Sequence, residues 1–374
     1  MKNTRQTNIN IHRDAWVEIN IGNLEHNIKE IKKNVSPDMK LLGVVKADAY
    51  GHGSIMLAPT ILASGVDMLG VASIDEGVDL RQAKIKCEIL VLGAVPVWAI
   101  ESAVQNDISI SVFTQEHLTA CKNIYERTGI KPKVHVKIDT GMNRIGVRAD
   151  EAIEYIKQVQ NADYLNFQGI FTHLASAEEL DKTEEQFKKW DSVIDNINTE
   201  GLLLHILNTA GTICYKKPNS NMCRVGISLY GLYPDFPPEV EFRKPDLKQL
   251  ISLKGRIVNL HTAKDTEGVS YCHTYCADGE RVIATVPLGY ADGIPRKLSN
   301  KITGKLNGKP VKQVGNITMD QMMFDVTGIE CNTGDVITLL DESKSIDEWA
   351  KIVGTINYEL TCRLKVRLPR IYTR

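Results

Sequence analysis

The chain has 374 residues, 43% of them hydrophobic and 24% charged, with a formal net charge of −1. That length exceeds what one core usually organises and points to two domains, while the balanced charge lacks the basic excess that nucleic acid or an anionic membrane surface demands. No apolar run nears the roughly 20 residues of a membrane span, and the polar start Met1-Lys2-Asn3-Thr4-Arg5 leads into no apolar signal region, so a cytoplasmic protein acting on a small molecule is expected.

A strand-like segment, residues 16–19, comes first, and a helical pattern opens at Asn20 with Leu24, Ile28, Ile31 and Val35. Eight short apolar or β-branched runs follow, at residues 41–46, 68–72, 88–92, 108–113, 134–139, 167–173, 203–208 and 223–229. Amphipathic stretches separate them, as where Ala152, Ile153, Ile156 and Val159 return every three or four residues. Eight such alternations predict an α/β fold, a parallel (β/α)8 barrel over residues 11–240.

The proline cluster Tyr233-Pro234-Asp235-Phe236-Pro237-Pro238 marks the boundary, and residues 241–374 read as a mainly-β domain. Strands are expected at 250–260, 282–286, 312–317, 322–326 and 336–340, a helix at 346–352 and a last strand at 360–368. Residues 16–19 could join that sheet. The eight cysteines are scattered, which suits reduced thiols better than a disulfide framework. Cys272-His273 with Cys276 lacks a second Cys/His pair to complete four ligands, so no metal is expected.

In a barrel of this kind the active site lies at the carboxyl ends of the strands. Lys46 ends the first strand, Lys137 and Asp139 the fifth, His173 the sixth and Asn208-Thr209 the seventh, while Arg224 lies in the eighth. A lysine closing an apolar run before the tight turn Gly51-His52-Gly53 is a candidate nucleophile, because partial desolvation favours its neutral amine and a neutral amine attacks carbonyl carbon. The set offers no paired carboxylates for acid/base work or two metals and no serine with a convincing base. Lysine, arginine, tyrosine and histidine together suit a carbonyl cofactor carrying a phosphate, and pyridoxal 5'-phosphate fits best, with Tyr50 and Thr209 for its phosphate oxygens.

The runs 45–53 (Val-Lys-Ala-Asp-Ala-Tyr-Gly-His-Gly) and 137–146 (Lys-Ile-Asp-Thr-Gly-Met-Asn-Arg-Ile-Gly), with Arg224-Val225-Gly226-Ile227 and Tyr230-Gly231, resemble bacterial alanine racemases. Val269-Ser270-Tyr271, Gly289-Tyr290-Ala291-Asp292-Gly293, Met319-Asp320-Gln321, Asn357-Tyr358-Glu359 and Arg367-Leu368-Pro369-Arg370 are similar to further motifs of that family in the same order. The resemblance implies a racemase that interconverts L- and D-alanine and supplies D-alanine for peptidoglycan. In it Lys46 holds pyridoxal phosphate covalently and acts as the base on one face, with Tyr271 as the base on the other. A proton removed from one face of a planar carbanion must be replaced on the opposite face, which is why two bases are needed.

The same resemblance places Arg224 at the pyridine nitrogen with His173 beside it. Tyr50, Asn208, Thr209, Gly226 and Ile227 surround the cofactor, Arg144, Tyr290 and Met319 contact the substrate, and Lys137 and Asp320 are supporting groups. Lys137 matches a lysine often carbamylated in the family. It further implies a homodimer in which the carboxyl-terminal domain of one subunit completes the other's site. One departure stands out: Val366 occupies the place where many members carry a phosphate-side tyrosine, and Thr318 replaces a common cysteine or serine. The alternatives are a racemase preferring serine or of broad specificity, a decarboxylase of basic amino acids on the same barrel, and a non-catalytic pyridoxal phosphate carrier.

Overall fold

The computed structural model describes residues 12–217, 219–364 and 367–374. Residue 11, where the barrel domain was expected to begin, and Val366 lie outside the described residues. The described residues divide into two compact units, one within 24–248 and a second built from 12–23 with those of 249–374.

The first unit is an eight-stranded parallel barrel. Its strands run in the order Met222–Val225, Lys40–Val44, Met68–Val71, Glu88–Val91, Ser109–Val112, Lys133–Asp139, Asn166–Phe171 and Leu203–His205. At the remaining seam Asn221 N–H donates to Leu204 O and Arg224 N–H to Leu207 O, both at 3.0 Å, so the sheet is nearly closed. Runs such as Ile89-Leu90-Val91 are buried on both faces, as strands between helices and a barrel interior must be.

Two of the barrel helices start where a side chain caps them. Ser73 Oγ accepts from Glu76 N–H (3.3 Å) to open Ile74–Gln82, and Thr114 Oγ1 accepts from His117 N–H (3.4 Å) to open Gln115–Thr128. Helix Ala152–Gln160 buries Ala152, Ile156 and Val159 of the expected stripe, with Tyr155 buried in place of Ile153, which stays half-buried. All eight expected strands are present, although the last ends at Val225 and gives way to a 3-10 turn, Ile227–Tyr230.

One irregularity shapes the interior. Between Lys133–Asp139 and Asn166–Phe171 the register shifts after Val134: Val134 pairs with Phe167 but His135 pairs with Gly169. The extra residue, Gln168, turns aside and its Oε1 accepts from Ser109 Oγ (2.6 Å). The shift seats Gly169 opposite His135 and Phe171 opposite Lys137.

The second unit is a nine-stranded sheet in the order Asn259–Ala263, Arg281–Val286, Met322–Asp325, Lys309–Val314, Thr303–Leu306, Val336–Leu340, Ile251–Arg256, Ala15–Asn20 and Arg370–Thr373. Neighbours are antiparallel except for the final pair. Ala15–Asn20 therefore joins this sheet, pairing with Ile251–Arg256 on one side and Arg370–Thr373 on the other. A separate two-stranded hairpin, Gly268–Val269 with Tyr275–Cys276, packs on a small core of Ala263, Val269, Ala277, Ile283, Val314 and Met323.

Three expectations need correction here. The strand expected at 250–260 is two, because Ile257 N–H turns to Asp335 O and Val258 N–H to Thr285 O, and the chain changes sheet neighbour between them. The last strand, expected at 360–368, is instead the helix Asn357–Arg363 followed by the strand Arg370–Thr373. Asn357, Leu360 and Thr361 bury one face of that helix while Glu359 and Arg363 pair across one turn on the other, a period of 3.6 in place of 2. Thr303–Leu306 carried too short and polar a run to be read as a strand, and its Gly304 lets Ile337 pack where a side chain would clash.

All eight cysteines are free thiols. Among the described residues no cluster of three or more His, Cys, Asp or Glu is placed to hold a metal ion, and no helix is long and apolar enough to cross a membrane.

Candidate active site

Lys46 follows the first barrel strand and opens a turn of unusual handedness. Ala47, Asp48, Ala49 and Tyr50 all have φ between 52° and 54°, and Gly51 follows at 83°. A left-handed turn costs an L-residue roughly 1–2 kcal/mol, so four in succession require outside support. Glu76 supplies it: one carboxylate oxygen accepts from Ala47 N–H (2.8 Å) and the other from Ala72 N–H (2.7 Å), tying the turn to the end of the neighbouring strand. Asp48 Oδ1 accepts from Ser54 N–H (2.7 Å), and the buried His52 closes the far end through Nδ1 and Ala49 O (2.9 Å). The half-buried Lys46 is thus presented by a rigid element.

Tyr50, buried within that turn, lies 5.1 Å from the ring of Tyr230, whose hydroxyl donates to Val44 O (2.8 Å) while His52 stacks on it at 4.5 Å. The Tyr50 hydroxyl reaches Gly226 so closely that a Cβ there would stand 2.4 Å from it. Gly226 N–H donates to Thr209 Oγ1 (3.0 Å), and Asn208 caps the short helix Thr209–Cys214 by accepting from Gly211 N–H (2.9 Å). Ile227 opens the 3-10 turn directly after Gly226. Two hydroxyls and a glycine backbone thereby come together as a polar cradle from three different strand ends.

Below the cradle the barrel interior is basic. Arg224 is 3% exposed; its Nη1 donates to His205 O (2.6 Å) and lies 3.0 Å from His205 Nδ1, while Nη2 donates to Thr172 O (2.7 Å) and Ile206 O (3.3 Å) and lies 3.3 Å from His173 Nδ1. Burial pulls Arg224 down to about 9, which leaves it cationic at neutral pH. Burial, then the Arg224 cation, hold His173 well below its ordinary value. Lys137, 2% exposed, donates from Nζ to Ile138 O (3.2 Å) and sits 4.9 Å from the Phe171 ring. Its pKa falls well below that of a free lysine, first through burial and then through Arg224, so its amine is held towards the neutral form. Asp139 ends the same strand and accepts from Gly141 N–H (2.9 Å) and Asn143 N–H (3.1 Å), shaping the loop that carries the exposed Arg144.

The remaining expected residues belong to the second unit. Tyr271 stands at the tip of the two-stranded hairpin, 70% exposed, where the ring of an ordinary strand tyrosine would be packed. Its carbonyl accepts from Asn316 Nδ2 (2.7 Å), and Ser270 Oγ donates to Asn316 O (2.6 Å). Two and three residues further on, Thr318 O accepts from Tyr290 N–H (2.9 Å) and Met319 O from Ala291 N–H (3.0 Å). Gly289 has no room for a Cβ against Met319 O, 2.3 Å away. One segment, residues 315–320, therefore organises Tyr271, Tyr290, Met319 and Asp320, and the first three expose 42–70% of their surface.

A buried carboxylate locks that group. Asp292 is fully buried; Oδ2 accepts from Arg13 Nη2 (2.8 Å) and Gly289 N–H (2.9 Å), Oδ1 accepts from Arg367 Nε (2.7 Å), and Arg367 Nη2 donates on to Asp320 Oδ1 (2.7 Å). Arg13 also pairs with Asp292 Oδ1. Sequence reasoning missed Glu76, His135, Phe171, His205 and the partners of Asp292. Only Glu76 left a local signal, the Ser73-x-x-Glu76 pattern of a helix start; the others are joined by strand register and long-range pairing.

Comparison with known proteins agrees with both halves. Residues 19–234 match the family described as alanine racemase, N-terminal domain, and residues 250–372 that described as alanine racemase, C-terminal domain. The chain is 39% identical to an alanine racemase of Methanococcus maripaludis, covering 97% of this chain and 99% of the relative, and 37% identical to one of Nostoc sp., covering 96% and 95%. Among solved structures, alanine racemase of Clostridium difficile superposes with a TM-score of 0.90 at 36% identity over 96% of each chain. That of Bacillus anthracis with bound L-Ala-P gives 0.87 at 34% identity over 97% of this chain and 96% of that one.

Proposed function

The chain belongs to the alanine racemase family and has that family's activity, and from this premise we propose which of its residues carry the racemisation of alanine. Lys46 and Tyr271 are the two bases, one for each face of the substrate α-carbon, and pyridoxal phosphate is the cofactor. The observation that carries this reading is the cradle of Tyr50 Oη, Thr209 Oγ1 and Gly226, where a Cβ would fill the space, set above a buried arginine and beside a clamped lysine. That donor set suits a phosphate at the cradle and an unprotonated pyridine nitrogen at Arg224.

When bound, the cofactor supplies a conjugated ring that delocalises the electron pair left by removal of the α-proton. The protein does the rest. Tyr50, Asn208, Thr209, Gly226 and Ile227 hold the phosphate end. Arg224, a donor with no proton to yield near neutral pH, would deny the cofactor's ring nitrogen a full proton and so would limit the electron withdrawal that opens side reactions. His173, held neutral, accepts from the guanidinium and fixes its angle. Lys46 moves a proton at Nζ and Tyr271 at Oη. Arg144, Tyr290 and Met319 orient the substrate, and Asp320, gripped by Arg367, holds the loop that bears Met319.

Lys137 supports Arg144. A neutral buried amine is the form that takes up carbon dioxide, and the resulting carbamate would pair with the arginine; chemical analysis of the intact protein at neutral pH tests for it. The exposed Tyr271, Tyr290 and Met319 fit a homodimer in which they complete the partner's site. The product, D-alanine, would serve peptidoglycan synthesis in the cytoplasm. Mixing inactive Lys46→Ala and Tyr271→Ala variants under conditions of subunit exchange should restore up to about a quarter of the activity, since random pairing gives half heterodimers with one intact site each. Exchange without any recovery would exclude shared sites.

A further inference from the structure

Behind Arg224 the barrel contains two histidines that the racemase reading does not use. His205 and His135 are both fully buried, on neighbouring sides of the strand Asn166–Phe171, and no acidic side chain is hydrogen-bonded to either among the described residues. His205 Nδ1 lies 3.0 Å from Arg224 Nη1, and His205 Nε2 lies 3.1 Å from His135 Nδ1. His135 Nε2 is buried with no hydrogen-bond partner.

We propose that His205 and His135 are positioning residues for Arg224, forming a one-directional hydrogen-bond relay whose two tautomers are dictated by the guanidinium. Arginine only donates, so His205 Nδ1 must present its lone pair and carry its proton on Nε2. That Nε2–H donates to His135, whose Nδ1 must also be a lone pair, and the second proton is left on His135 Nε2. Any other assignment sets two N–H groups against each other at about 3 Å, either at Arg224 or between the rings. Protonating either ring does the same. The unpartnered Nε2–H is where the polarity of the chain ends, and a buried donor kept without a partner needs a reason elsewhere in the network.

The barrel is built to admit this pair. A Cβ on Gly169 would stand 2.6 Å from His135 Nδ1, so the shifted register that places a glycine opposite His135 makes room for the ring. Phe171, two residues on, stacks flat on His205 with 4.7 Å between centroids and 2° between planes. The strongly lowered basicity of both imidazoles agrees with rings held neutral by burial and by Arg224. With Nη1 held by His205 and Nη2 by Thr172, Ile206 and His173, the guanidinium is fixed in both plane and angle.

The inference rests on the proposed role of Arg224 only for its effect on catalysis, so the test has two arms. In the holoenzyme labelled with 15N-histidine, long-range 1H–15N spectra should show His135 and His205 as neutral Nε2–H tautomers, unchanged from pH 6 to 9. Either ring appearing as the Nδ1–H tautomer, or titrating in that range, would overturn the relay. In the second arm, His205→Asn keeps an acceptor oxygen near the Nδ1 position and His205→Leu does not. The leucine variant should lose about tenfold in kcat with KM within about twofold and shift the visible absorption of the bound cofactor, while the asparagine variant stays within about threefold of the unaltered enzyme. Equal kcat and equal absorption in the two variants would show that the relay does not position Arg224. If the leucine variant fails to fold, the tautomers of the unaltered protein still decide. The expected tautomers in a protein that does not racemise alanine would refute the racemase reading and leave the relay standing.

Discussion

In the barrel, Arg224, Lys137 and three histidines share one interior with no acid hydrogen-bonded to them among the described residues, whereas in the second unit Asp292 is fully buried between Arg13 and Arg367, with Arg367 carried on to Asp320. Burial and mutual repulsion suppress charge in the first case, leaving imidazoles and a lysine amine neutral around one cation. Pairing neutralises charge in the second. A neutral amine or imidazole remains a lone-pair donor, so the barrel keeps reactive groups; a carboxylate divided between two guanidiniums is inert and serves only to fix loops. The basic surroundings of the proposed cofactor site belong to the first arrangement, and the rigid mounting of Tyr271, Tyr290 and Met319 to the second.

Substitutions that separate activity from stability test that contrast most sharply. Lys46→Ala should reduce racemisation by on the order of 10^4 or more, with the urea midpoint little changed, because the side chain is only half-buried. A variant that retained a tenth of the activity would remove Lys46 from the chemistry. Asp292→Ala should do the reverse at first sight, destabilising the protein by about 3–5 kcal/mol in chemical denaturation, since it strands two arginines beside a buried void. A loss under about 1 kcal/mol would show that the pairing is ornamental.

The neutral histidines sharpen the comparison through pH. His135, held at about 3, and His205, held well below its ordinary value, are unprotonated when folded, while the unfolded chain takes up their protons below about pH 6.5. The unfolded state then binds more protons, so stability is present above that pH and is lost as the pH falls towards 3, at about 1.4 kcal/mol per pH unit for each histidine. Unfolding midpoints between pH 4.5 and 7.5 should show this slope, and His135→Phe should lower it by one histidine's share. An unchanged slope in that variant would place the pH dependence elsewhere. The smallest effect concerns the cradle: Gly226→Ala forces Tyr50 Oη away and should weaken cofactor binding about tenfold, read by absorbance titration of the apoprotein.

The barrel was the more legible unit, since strands buried on both faces write themselves as continuous apolar runs, and the eight at residues 41–229 all formed. Lys46, Arg224 and Thr209 stood out as candidates because strand ends in such a barrel point to one rim. The second unit was less so. Asn357–Arg363 carries Leu360 and a β-branched Thr361 that suit a strand, and only its packing and the Glu359–Arg363 pair make it a helix. The left-handed turn after Lys46 was hidden, because Ala47-Asp48-Ala49-Tyr50 carries no glycine to announce positive φ. Likewise, nothing local in His135 or His205 tells that a register shift will bring them together.

Exchange of the substrate α-hydrogen in heavy water tests the two-base claim most directly. The unaltered enzyme should carry solvent deuterium into both enantiomers of alanine as they interconvert. Tyr271→Phe should stop racemisation yet still exchange the α-hydrogen of one enantiomer, with retention of configuration, through Lys46 alone. Exchange of both enantiomers at equal rates in that variant, or racemisation at the rate of the unaltered enzyme, would contradict the assignment of Tyr271 and Lys46 to opposite faces.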